Sequence, residues 1–462
     1  MPEPKLPPEM LSGPFLLAAL VLGIAFVVVA TTRYKLHPFL ALLVTAYGMG
    51  LCGGLTPAQT IAALTGGFGK TIGYIGIVIA CGCIIGMVLE KSGCALVMAE
   101  MMLRLIGRAR AVLAMSCTGT IVSIPVFCDS GFVILSPLMR SLARQTGQSL
   151  AGFAVALSMG LYATHCLVPP TPGPIAVAGE LRADIGSVIL LGLLVVVPVV
   201  AVTYAYARFV ERRIQLDPDR GDEAQAAAPL GEGDGPAHGA FAAFAPILFP
   251  VLLIAVKSAA DLPGRPFGDG ALRTVLGMLG DPNTALILGV FPAWFIVRRR
   301  GLEAFGSWCG DGLRDAGTII LITAAGGALG GVLRETPLAK FVGDGLATLD
   351  LGRFSILLPF VVAAGLKTAL GSSTVAMITT ASLVSHLLPS MGLAAGFGPA
   401  LATLAIASGA MMVSHVNDSY FWVVTQMSGM TVTQGYRLVT VASAIAGLTG
   451  IAAVVVLSFI LL

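Results

Sequence analysis

The sequence predicts an all-α polytopic membrane protein with two repeats of inverted topology, each containing a re-entrant hairpin and a broken helix. Three observations support this fold class. Only 11% of the 462 residues are charged and 56% are hydrophobic, whereas a soluble domain carries roughly 25% charged residues. Apolar runs close to the ~20 residues that cross a bilayer recur along the chain. Two further apolar segments are interrupted by polar residues at corresponding places in the two halves, which is typical of transporter sites.

The composition excludes several classes of protein. So few charges cannot cover the surface of a soluble enzyme, and this apolar content is unlike that of a disordered chain. The net charge of +3 is too small to indicate nucleic-acid binding. The eight cysteines lie mostly in apolar runs and form no CxxC pair. We therefore predict that they are packing residues, with no metal centre, disulfide framework or cofactor.

The apolar runs define the organisation of the chain. They lie at about 13–30, 36–54, 71–89, 147–166, 186–207, 241–256, 283–297, 317–333, 394–413 and 438–461. The most polar stretch, rich in Gly, Ala and Pro towards its end, occupies 208–240. We interpret it as a linker between a first membrane repeat at 1–207 and a second at 241–462.

Three sequence blocks recur in the same order in the two halves. Residues 66–92 align with 310–336 at an offset of 244, 127–133 with 370–376 at 243, and 162–168 with 412–418 at 250. Gly-rich helices align by chance, so no single block is specific. Because the order and the offset are shared, the three blocks together predict an internal repeat.

The distribution of basic residues predicts the orientation. The interrupted segments, 111–139 and 353–390, are interpreted as re-entrant hairpins. With the linker in the cytoplasm, 17 of the 27 Lys and Arg residues lie on the cytoplasmic side, in agreement with the positive-inside rule. Both termini are then periplasmic, the second half is inverted relative to the first, and the two hairpins enter from opposite sides.

An acidic residue lies inside the first interrupted segment, within the motif SIPVFCDSGFVILSPL. A carboxyl group at membrane depth is expensive and is a functional residue by default, so Asp129 is a candidate proton carrier. The alternative is that it caps a helix beginning at Ser130, and the two roles are compatible. The adjacent Gly131 allows the backbone to pass close to a ligand.

A proline-rich motif, HCLVPPTPGP, ends the next apolar run. Four prolines within six residues cannot continue a helix, and the freed backbone groups must lie in protein or against a watery cavity. His165 titrates near physiological pH and is a candidate for relaying a proton or binding a carboxylate. The alternative is that His165 is a hydrogen-bonded packing residue. The presence of His415 at the corresponding place in the second half argues against this alternative.

The second interrupted segment contains the motif LGSSTVA. Ser372, Ser373 and Thr374 supply hydroxyls and free backbone amides where a hairpin turns, an arrangement suited to an anion, a polyol or a small cation. A plain Ser/Thr helix start is the alternative. Lys367, a cation inside this broken segment, either neutralises a substrate carboxylate or extends to the membrane interface.

The densest polar cluster outside the linker is SHVNDSYFW, from Ser414 to Trp422. His415, Asn417, Asp418 and Ser419 provide donors, acceptors and two titratable groups, although a simple loop also explains the polarity. The aromatic residues that follow either form an interface belt or line a sugar-sized pocket.

Four motifs therefore interrupt the apolar segments in a fixed order. They are Phe127-Cys128-Asp129-Ser130-Gly131-Phe132, His165 with Pro169-Pro170-Thr171-Pro172-Gly173-Pro174, Gly371-Ser372-Ser373-Thr374-Val375-Ala376, and Ser414-His415-Val416-Asn417-Asp418-Ser419. On these motifs, from about residue 15 to the C-terminus, the chain resembles the gluconate permease (GntP) family of proton-coupled sugar-acid symporters. The family usually has histidine where this chain has Thr171, and often glycine where it has Tyr420. Both departures fall where the ligand should lie.

The resemblance implies a bacterial inner-membrane transporter of the ion-transporter superfamily, with a homodimeric scaffold and an elevator-type motion. It implies symport of a proton with a small hydroxylated monocarboxylate such as gluconate, another sugar acid, a glycerate-like acid or D-serine. Substrate binding is expected at Ser130, Gly131, His165, Thr171, Lys367, Ser372, Ser373, Thr374, His415, Asn417 and Ser419, and proton coupling at Asp129 and Asp418.

Two rival functions are left open by the sequence. One is a sodium-coupled carboxylate transporter of the same architecture. The other is a membrane-embedded enzyme or channel, against which stands the lack of a nucleophile or metal-ligand motif in the sequence. Expected partners are the carboxylate substrate, a proton, membrane lipid and a second copy of the chain.

Overall fold

The computed structural model describes residues 13–107, 110–124, 126–218, 240–260, 270–338, 352–416 and 418–462. The regular elements of these ranges are helices. The first half contributes α1 (Gly13–Thr32), α2 (Pro38–Cys52), α3 (Pro57–Lys91), α4 (Cys94–Ile106), α5 (Ala111–Val122), α6 (Cys128–Thr146), α7 (Leu150–Leu167), α8 (Pro172–Leu181) and α9 (Ile185–Glu211). The second half contributes α10 (Ala240–Ala260), α11 (Ala271–Leu279), α12 (Pro282–Val297), α13 (Leu302–Glu335), α14 (Leu357–Leu370), α15 (Ser373–Val384), α16 (Gly398–Ala410), α17 (Ser419–Met427) and α18 (Val432–Leu461).

The polytopic membrane fold predicted from composition agrees with these helices. Five of the described spans are long and apolar enough to cross a membrane, and seven if each of two bent pairs counts as one span. Large apolar side chains are exposed on several of them, for example Leu22 in α1, Leu194 in α9 and Ile460 in α18. Such surfaces are stable against lipid and would not be stable in water.

The predicted linker is only partly described. Helix α9 continues past the predicted boundary at 207 to Glu211, and α10 begins at Ala240. Residues 219–239 lie outside the described residues. The division into a first repeat, a linker and a second repeat therefore stays a prediction.

Each of the two interrupted segments contains a pair of helices. Helix α5 has 12 residues, and α14 and α15 have 14 and 12. At 1.5 Å per residue these helices are about 18–21 Å long, shorter than the ~30 Å hydrocarbon core. We call α5–α6 hairpin 1 and α14–α15 hairpin 2. Hairpin 2 turns in two residues, Gly371 and Ser372, with Gly371 at a φ of +83° that favours glycine.

The longest helices, α3 and α13, pack against each other in antiparallel directions. A Cβ on Gly67 would lie 2.3 Å from the Gly327 carbonyl oxygen, and one on Gly312 would lie 3.0 Å from the Cys83 carbonyl oxygen. The backbones can approach this closely only because no side chain separates them. This helix pair forms the centre of one group of helices, with α2 packed on α13 and α12 on α3.

Helices α7 and α16 form the centre of a second group. Every residue of both helices is buried, so they contact protein on all sides. Helix α7 packs between α5 and α9, and α16 packs between α14 and α18. Each ends at an interruption, at residues 168–171 after α7 and at 411–418 after α16. The two interruptions and the two hairpin connections hold most of the polar motifs of the sequence.

Candidate functional site

The interruption after α16 exposes backbone groups that other elements must satisfy. Val413 has a φ of +48°, a strained conformation for a β-branched residue. The N–H of Ser414 donates to the Ser443 hydroxyl over 2.9 Å, and the Thr440 hydroxyl donates to the Ser414 carbonyl over 2.6 Å. Both partners belong to α18, next to its π-helical turn at Tyr436–Thr440. Non-helical backbone inside a membrane protein is tolerated when neighbours satisfy it in this way.

A buried ion pair joins hairpin 2 to this interruption. The Lys367 ammonium lies 2.6 Å from Asp418 Oδ2, and the two side chains are 0% and 5% exposed. The ammonium also donates to the Gly371 carbonyl at the turn of hairpin 2. Sequence analysis selected both residues for separate roles and did not predict that they pair. A fully desolvated ion pair contributes little net stability, which makes a functional role for these charges the stronger explanation.

Asp418 retains further partners besides the lysine. Its Oδ2 accepts a hydrogen bond from the Ser414 hydroxyl, and its Oδ1 accepts one from the Tyr420 N–H over 3.1 Å, which caps the start of α17. Three donors therefore converge on one carboxylate. If Lys367 moves away, the carboxyl group of Asp418 remains positioned by the other two.

Two neighbouring tyrosines connect this pair with both hairpins. The rings of Tyr162 and Tyr420 lie 5.3 Å apart between centroids, and Tyr420 contacts Phe132 of hairpin 1 edge-on at 6.4 Å. The Tyr162 hydroxyl lies 2.7 Å from Ser373 Oγ and donates to the Ala410 carbonyl over 3.1 Å. The Lys367 ammonium lies 5.8 Å from the centre of the Tyr162 ring. Tyr162 was not selected by sequence analysis, although it lies three residues before His165.

The turn of hairpin 2 places its three hydroxyl residues differently. Ser372 is exposed and its hydroxyl accepts from the Val375 N–H over 3.3 Å, so it caps α15 as the helix-start alternative proposed. Ser373 contacts the Tyr162 hydroxyl. Thr374 lies next to Gly173 at the start of α8, where a Cβ would come within 4.0 Å of the Thr374 hydroxyl. We call the group formed by Lys367, Asp418, Tyr162 and Tyr420 the polar centre. Of the three hydroxyl residues, only Ser373 thus contacts it directly, through Tyr162.

Hairpin 1 brings a second carboxylate towards the same centre. Helix α6 begins at Cys128, so Asp129 lies in its first turn instead of capping a helix that starts at Ser130. Its Oδ1 is buried without a hydrogen-bond partner among the described residues, and its charge interacts with those of Asp418 and Lys367. Gly131 is approached by the Leu161 side chain. Ser130 faces the carboxyl group of Glu90 from α3.

The two histidines of the repeat have different environments. His165 is buried, its ring lies 5.8 Å from that of Phe127, and its Nδ1 has no hydrogen-bond partner among the described residues. His415 is half-buried, with Nε2 2.9 Å from the Thr368 carbonyl oxygen of hairpin 2. Each histidine therefore lies beside the connection of one hairpin.

The remaining selected residues lie at the edges of the site. The Thr171 hydroxyl donates to the Val168 carbonyl over 2.6 Å and so satisfies the backbone of the first interruption. Ser419 is exposed at the start of α17. Asn417 lies outside the described residues. Of the selected residues of hairpin 2 and of the second interruption, Ser372 and Ser419 are exposed and His415 is half-buried.

A second ion pair, not predicted from the sequence, lies where the two groups of helices meet. The Arg334 guanidinium of α13 donates to Glu180 of α8 over 2.7 Å, and the Ser385 hydroxyl after α15 donates to the same carboxylate oxygen over 3.2 Å. Glu180 is 5% exposed and Arg334 is 36% exposed. Within the described residues no group of three or more His, Cys, Asp or Glu side chains is placed to hold a metal ion.

The sequence is similar to those of known permeases. The model of the GntP family, described as GntP family permease, matches residues 15–460. The gluconate permease of Pseudomonas aeruginosa is 34% identical over 454 residues, covering 97% of this chain and 98% of that protein. The D-serine transporter DsdX of Escherichia coli is 33% identical over 454 residues, covering 97% and 99%.

A solved structure extends the comparison to the fold. The structure of Neisseria gonorrhoeae MtrF is similar with a TM-score of 0.67 at 15% identity, covering 92% of this chain and 96% of that one. At this identity the similarity concerns the fold alone. Together with the family match, it agrees with an all-helical, multi-pass permease and excludes the enzyme alternative.

Proposed function

Because the chain belongs to the GntP family of permeases, we propose that it is a secondary active symporter that imports gluconate or a related hydroxylated monocarboxylate together with protons. The observation that carries this proposal is the Lys367–Asp418 pair, buried where a hairpin turn meets an interrupted helix. An ammonium group in that position is the natural partner of a carboxylate ligand. Its neighbour Asp418 is a group that can accept a proton.

The chemistry around the pair supports a small ligand that carries hydroxyl groups. Relatives are named for gluconate and for D-serine, both of which carry a carboxylate and at least one hydroxyl. The Lys367 ammonium lies 5.8 Å from the centre of the Tyr162 ring, whose hydroxyl contacts that of Ser373. The aromatic faces of Tyr162 and Tyr420 suit a carbon chain. The ligand is therefore a sugar acid, a glycerate-like acid or D-serine, with Ser130, His165 and His415 as further candidate contacts.

Proton coupling is proposed at Asp129 and Asp418. Both carboxylates lie near the Lys367 ammonium, and one oxygen of Asp129 has no hydrogen-bond partner among the described residues. A sodium-coupled transporter of the same architecture is the alternative. The ammonium of Lys367 already occupies the position beside the Gly371 carbonyl and the Asp418 carboxylate, where a coordinated cation would otherwise be expected. This favours protons over sodium.

An inverted repeat is proposed for the architecture. The close approach of Gly67 to Gly327 has a counterpart in the approach of Gly312 to Cys83. The sequence offset of 244 maps one pair of positions onto the other to within one residue. The contacts between the two halves are also reciprocal, because the hairpin of each half contacts a helix of the other. Hairpin 1 reaches α17 through Phe132 and Tyr420, whereas hairpin 2 reaches α8 where Met377 contacts Gly173. Such reciprocal contacts support a pseudo-two-fold axis in the membrane plane.

An elevator-type motion is proposed for the transport cycle. The boundary between the two groups of helices is lined by glycines of α3 and α13. A Cβ on Gly82 would lie 3.1 Å from the Pro170 carbonyl oxygen, and one on Gly330 would lie 2.6 Å from Glu180 Oε1. A boundary with few protruding side chains supports sliding of the hairpins with α7, α8, α16 and α17 along the α3–α13 pair.

The placement in the cell completes the proposal. From the distribution of positive charge we propose a cytoplasmic linker and periplasmic termini, in a bacterial inner membrane. The homodimer implied by the family resemblance has the α3–α13 group as its fixed part. Cysteine labelling from each side of the membrane tests the orientation, and native mass spectrometry in lipid nanodiscs tests the dimer.

The decisive experiment for the function is uptake of labelled gluconate by the purified protein in proteoliposomes. We expect accumulation under an inward proton gradient in the absence of sodium, and competition by unlabelled D-glycerate and D-serine. Uptake that follows a sodium gradient at constant pH establishes the alternative. Absence of gradient-driven uptake of gluconate and of the competing acids contradicts the symporter proposal.

A further inference from the structure

We infer that Lys367 exchanges carboxylate partners during transport, so that the ligand carboxylate displaces Asp418 from the ammonium and Asp418 takes up the co-transported proton. This deepens the proposed function and rests on it. It assigns one proton acceptor where the sequence left Asp129 and Asp418 open, and it makes binding of the ligand and binding of the proton two halves of one event.

The geometry around the ammonium supports an exchange of partners. Lys367 is fully buried and has two partners, the Asp418 carboxylate and the Gly371 carbonyl. The carbonyl cannot neutralise it, so an ammonium that leaves Asp418 needs another anion at once. A ligand carboxylate bound beside the turn of hairpin 2 supplies that anion.

The geometry around Asp418 supports its protonation in place. When the ammonium leaves, Asp418 keeps the hydrogen bonds from the Ser414 hydroxyl and the Tyr420 N–H. A proton then occupies the Oδ2 atom that Lys367 has vacated, and the Ser414 hydroxyl can rotate to accept it, because a hydroxyl is both donor and acceptor. The aspartic acid thus remains hydrogen-bonded in both states without a movement of α17.

The balance of charge explains why the two events are coupled. In the empty site Lys367 and Asp418 sum to zero. In the loaded site the ammonium, the ligand carboxylate and the protonated Asp418 also sum to zero. Ligand without proton leaves a net negative charge, and proton without ligand leaves a net positive charge, both expensive in a desolvated site. Only the empty and the fully loaded states therefore cross the membrane, with one proton for each monoanion and no net charge.

Other ionisable groups surround Asp418, and the scheme assigns them a constant protonation state. They are Asp129 and Cys128 of α6, Tyr162, His165 and Cys166 of α7, and Tyr420 of α17. Within the described residues the Lys367 ammonium donates to Asp418 and Gly371 and to none of these six groups. Asp129 is the other carboxylate of this group, so the two carboxylates are compared directly in the test.

The test uses the full-length protein in proteoliposomes with gluconate as the probe. In Asp418→Asn, whose amide keeps the Tyr420 and Ser414 contacts, we expect gluconate exchange between the two sides to persist without a pH dependence. Accumulation driven by a proton gradient is lost. Asp311→Asn, which alters an ion pair in the N-terminal part of α13, serves as the matched control and retains accumulation. Accumulation by Asp418→Asn, or its loss in Asp129→Asn alone, overturns the assignment.

A second variant separates the exchange from folding. In Lys367→Met/Asp418→Asn both charges of the pair are absent, so neither member leaves the other as an unpaired buried charge and the protein is expected to fold. Its affinity for gluconate should fall at least about 30-fold, the weaker end of the loss expected for a buried charge partner. Affinity within about threefold of wild type overturns the role of Lys367. Wild-type uptake driven by sodium instead of protons overturns the symport itself, and this binding measurement then still tests Lys367.

Wild-type stoichiometry provides an independent readout. We expect gluconate uptake at a fixed proton gradient to be unaffected by a membrane potential imposed with potassium and valinomycin. Uptake that rises with an inside-negative potential means that net positive charge crosses with the ligand, and this contradicts the exchange at constant charge.

Discussion

The polar centre around Lys367 and the helix pair α3–α13 are stabilised in opposite ways. In the polar centre, charges and hydroxyls are buried and satisfy one another, as in the pairing of Lys367 with Asp418. In the helix pair, glycines let two backbones touch, and the ion pairs of Asp311 with Lys91 and Arg314 are partly exposed at one end. Close backbone packing suits a part that stays rigid, whereas a buried pair of charges suits a part whose partners change.

The contact between the two regions joins a buried charge to a partly exposed one. Glu180 is buried like the charges of the centre, and its partner Arg334 is one-third exposed and belongs to α13. This ion pair therefore connects the proposed moving group to the proposed fixed group. The comparison predicts effects of decreasing size from the centre outwards.

The largest effect on folding is expected for Lys367→Met. It leaves the buried Asp418 without its charge partner, which should lower the free energy of unfolding by about 3–5 kcal/mol. Lys91→Met removes a lysine from a partly exposed pair and should change it by less than about 1 kcal/mol. Denaturant titration of the two variants in detergent measures the difference. Equal effects would mean that burial of the central pair has no special energetic role.

A smaller effect is expected for Gly67→Ala in the helix pair. The new methyl group would lie 2.3 Å from the Gly327 carbonyl oxygen, and relieving such a clash should destabilise the fold by about 1–3 kcal/mol. Gly66→Ala is the matched control, because nothing lies within 4 Å of its Cβ. Thermal unfolding in detergent compares them. If both alanines are tolerated alike, close backbone contact is not what holds α3 to α13.

At the boundary between the two groups of helices, Glu180→Gln tests whether the ion pair of Glu180 with Arg334 affects the transport motion or the binding of the ligand. Glutamine keeps an oxygen acceptor for Arg334 and Ser385 but removes the charge. This should weaken the hydrogen bond with Arg334 by about 1.5 kcal/mol. We expect the maximal rate of gluconate uptake to change by roughly tenfold at an unchanged KM. A changed KM at constant rate would place Glu180 with the ligand site instead.

The smallest effect is expected for Tyr162→Phe. It removes the hydroxyl that bridges Ser373 and the Ala410 carbonyl and should cost about 1 kcal/mol. Because the hydroxyl holds the turn of hairpin 2, the affinity for gluconate should fall about fivefold. Tyr206→Phe, whose hydroxyl contacts the Arg437 carbonyl on a more exposed surface, is the control and should leave the affinity unchanged. Uptake kinetics distinguish the two variants.

Sequence analysis selected several residues that the structure brings together, but it did not predict which of them pair. Asp129, Lys367, Ser373 and Asp418 were selected because ionisable or hydroxyl groups inside apolar segments are costly unless used. Their pairing was not predictable, since Lys367 and Asp418 are 51 residues apart and no local rule relates them. Tyr162 was missed because a tyrosine in an apolar helix carries no signal of its own, and its contact with Ser373 spans 211 positions.

The sequence also predicted some helix ends better than it predicted helix starts and contacts between helices. The prolines after His165 and the glycine at the turn of hairpin 2 predicted where helices end, because both residues act through local geometry. Helix α6 starts at Cys128, earlier than the capping alternative for Asp129 requires. Glu180 and Arg334 were outside every selected motif, because the contact joins α8 to α13 and neither local sequence is unusual.

By itself, the sequence determined that this protein lies in a membrane, where helix breakers interrupt its apolar segments, and which polar groups inside them are costly to bury, since composition, helix breakers and the cost of buried polarity act locally. Only the tertiary structure decided which of those groups meet. Partners far apart in the chain are brought together by the packing of whole helices, so the pairing of Lys367 with Asp418 and of Glu180 with Arg334 becomes visible only once the chain is folded.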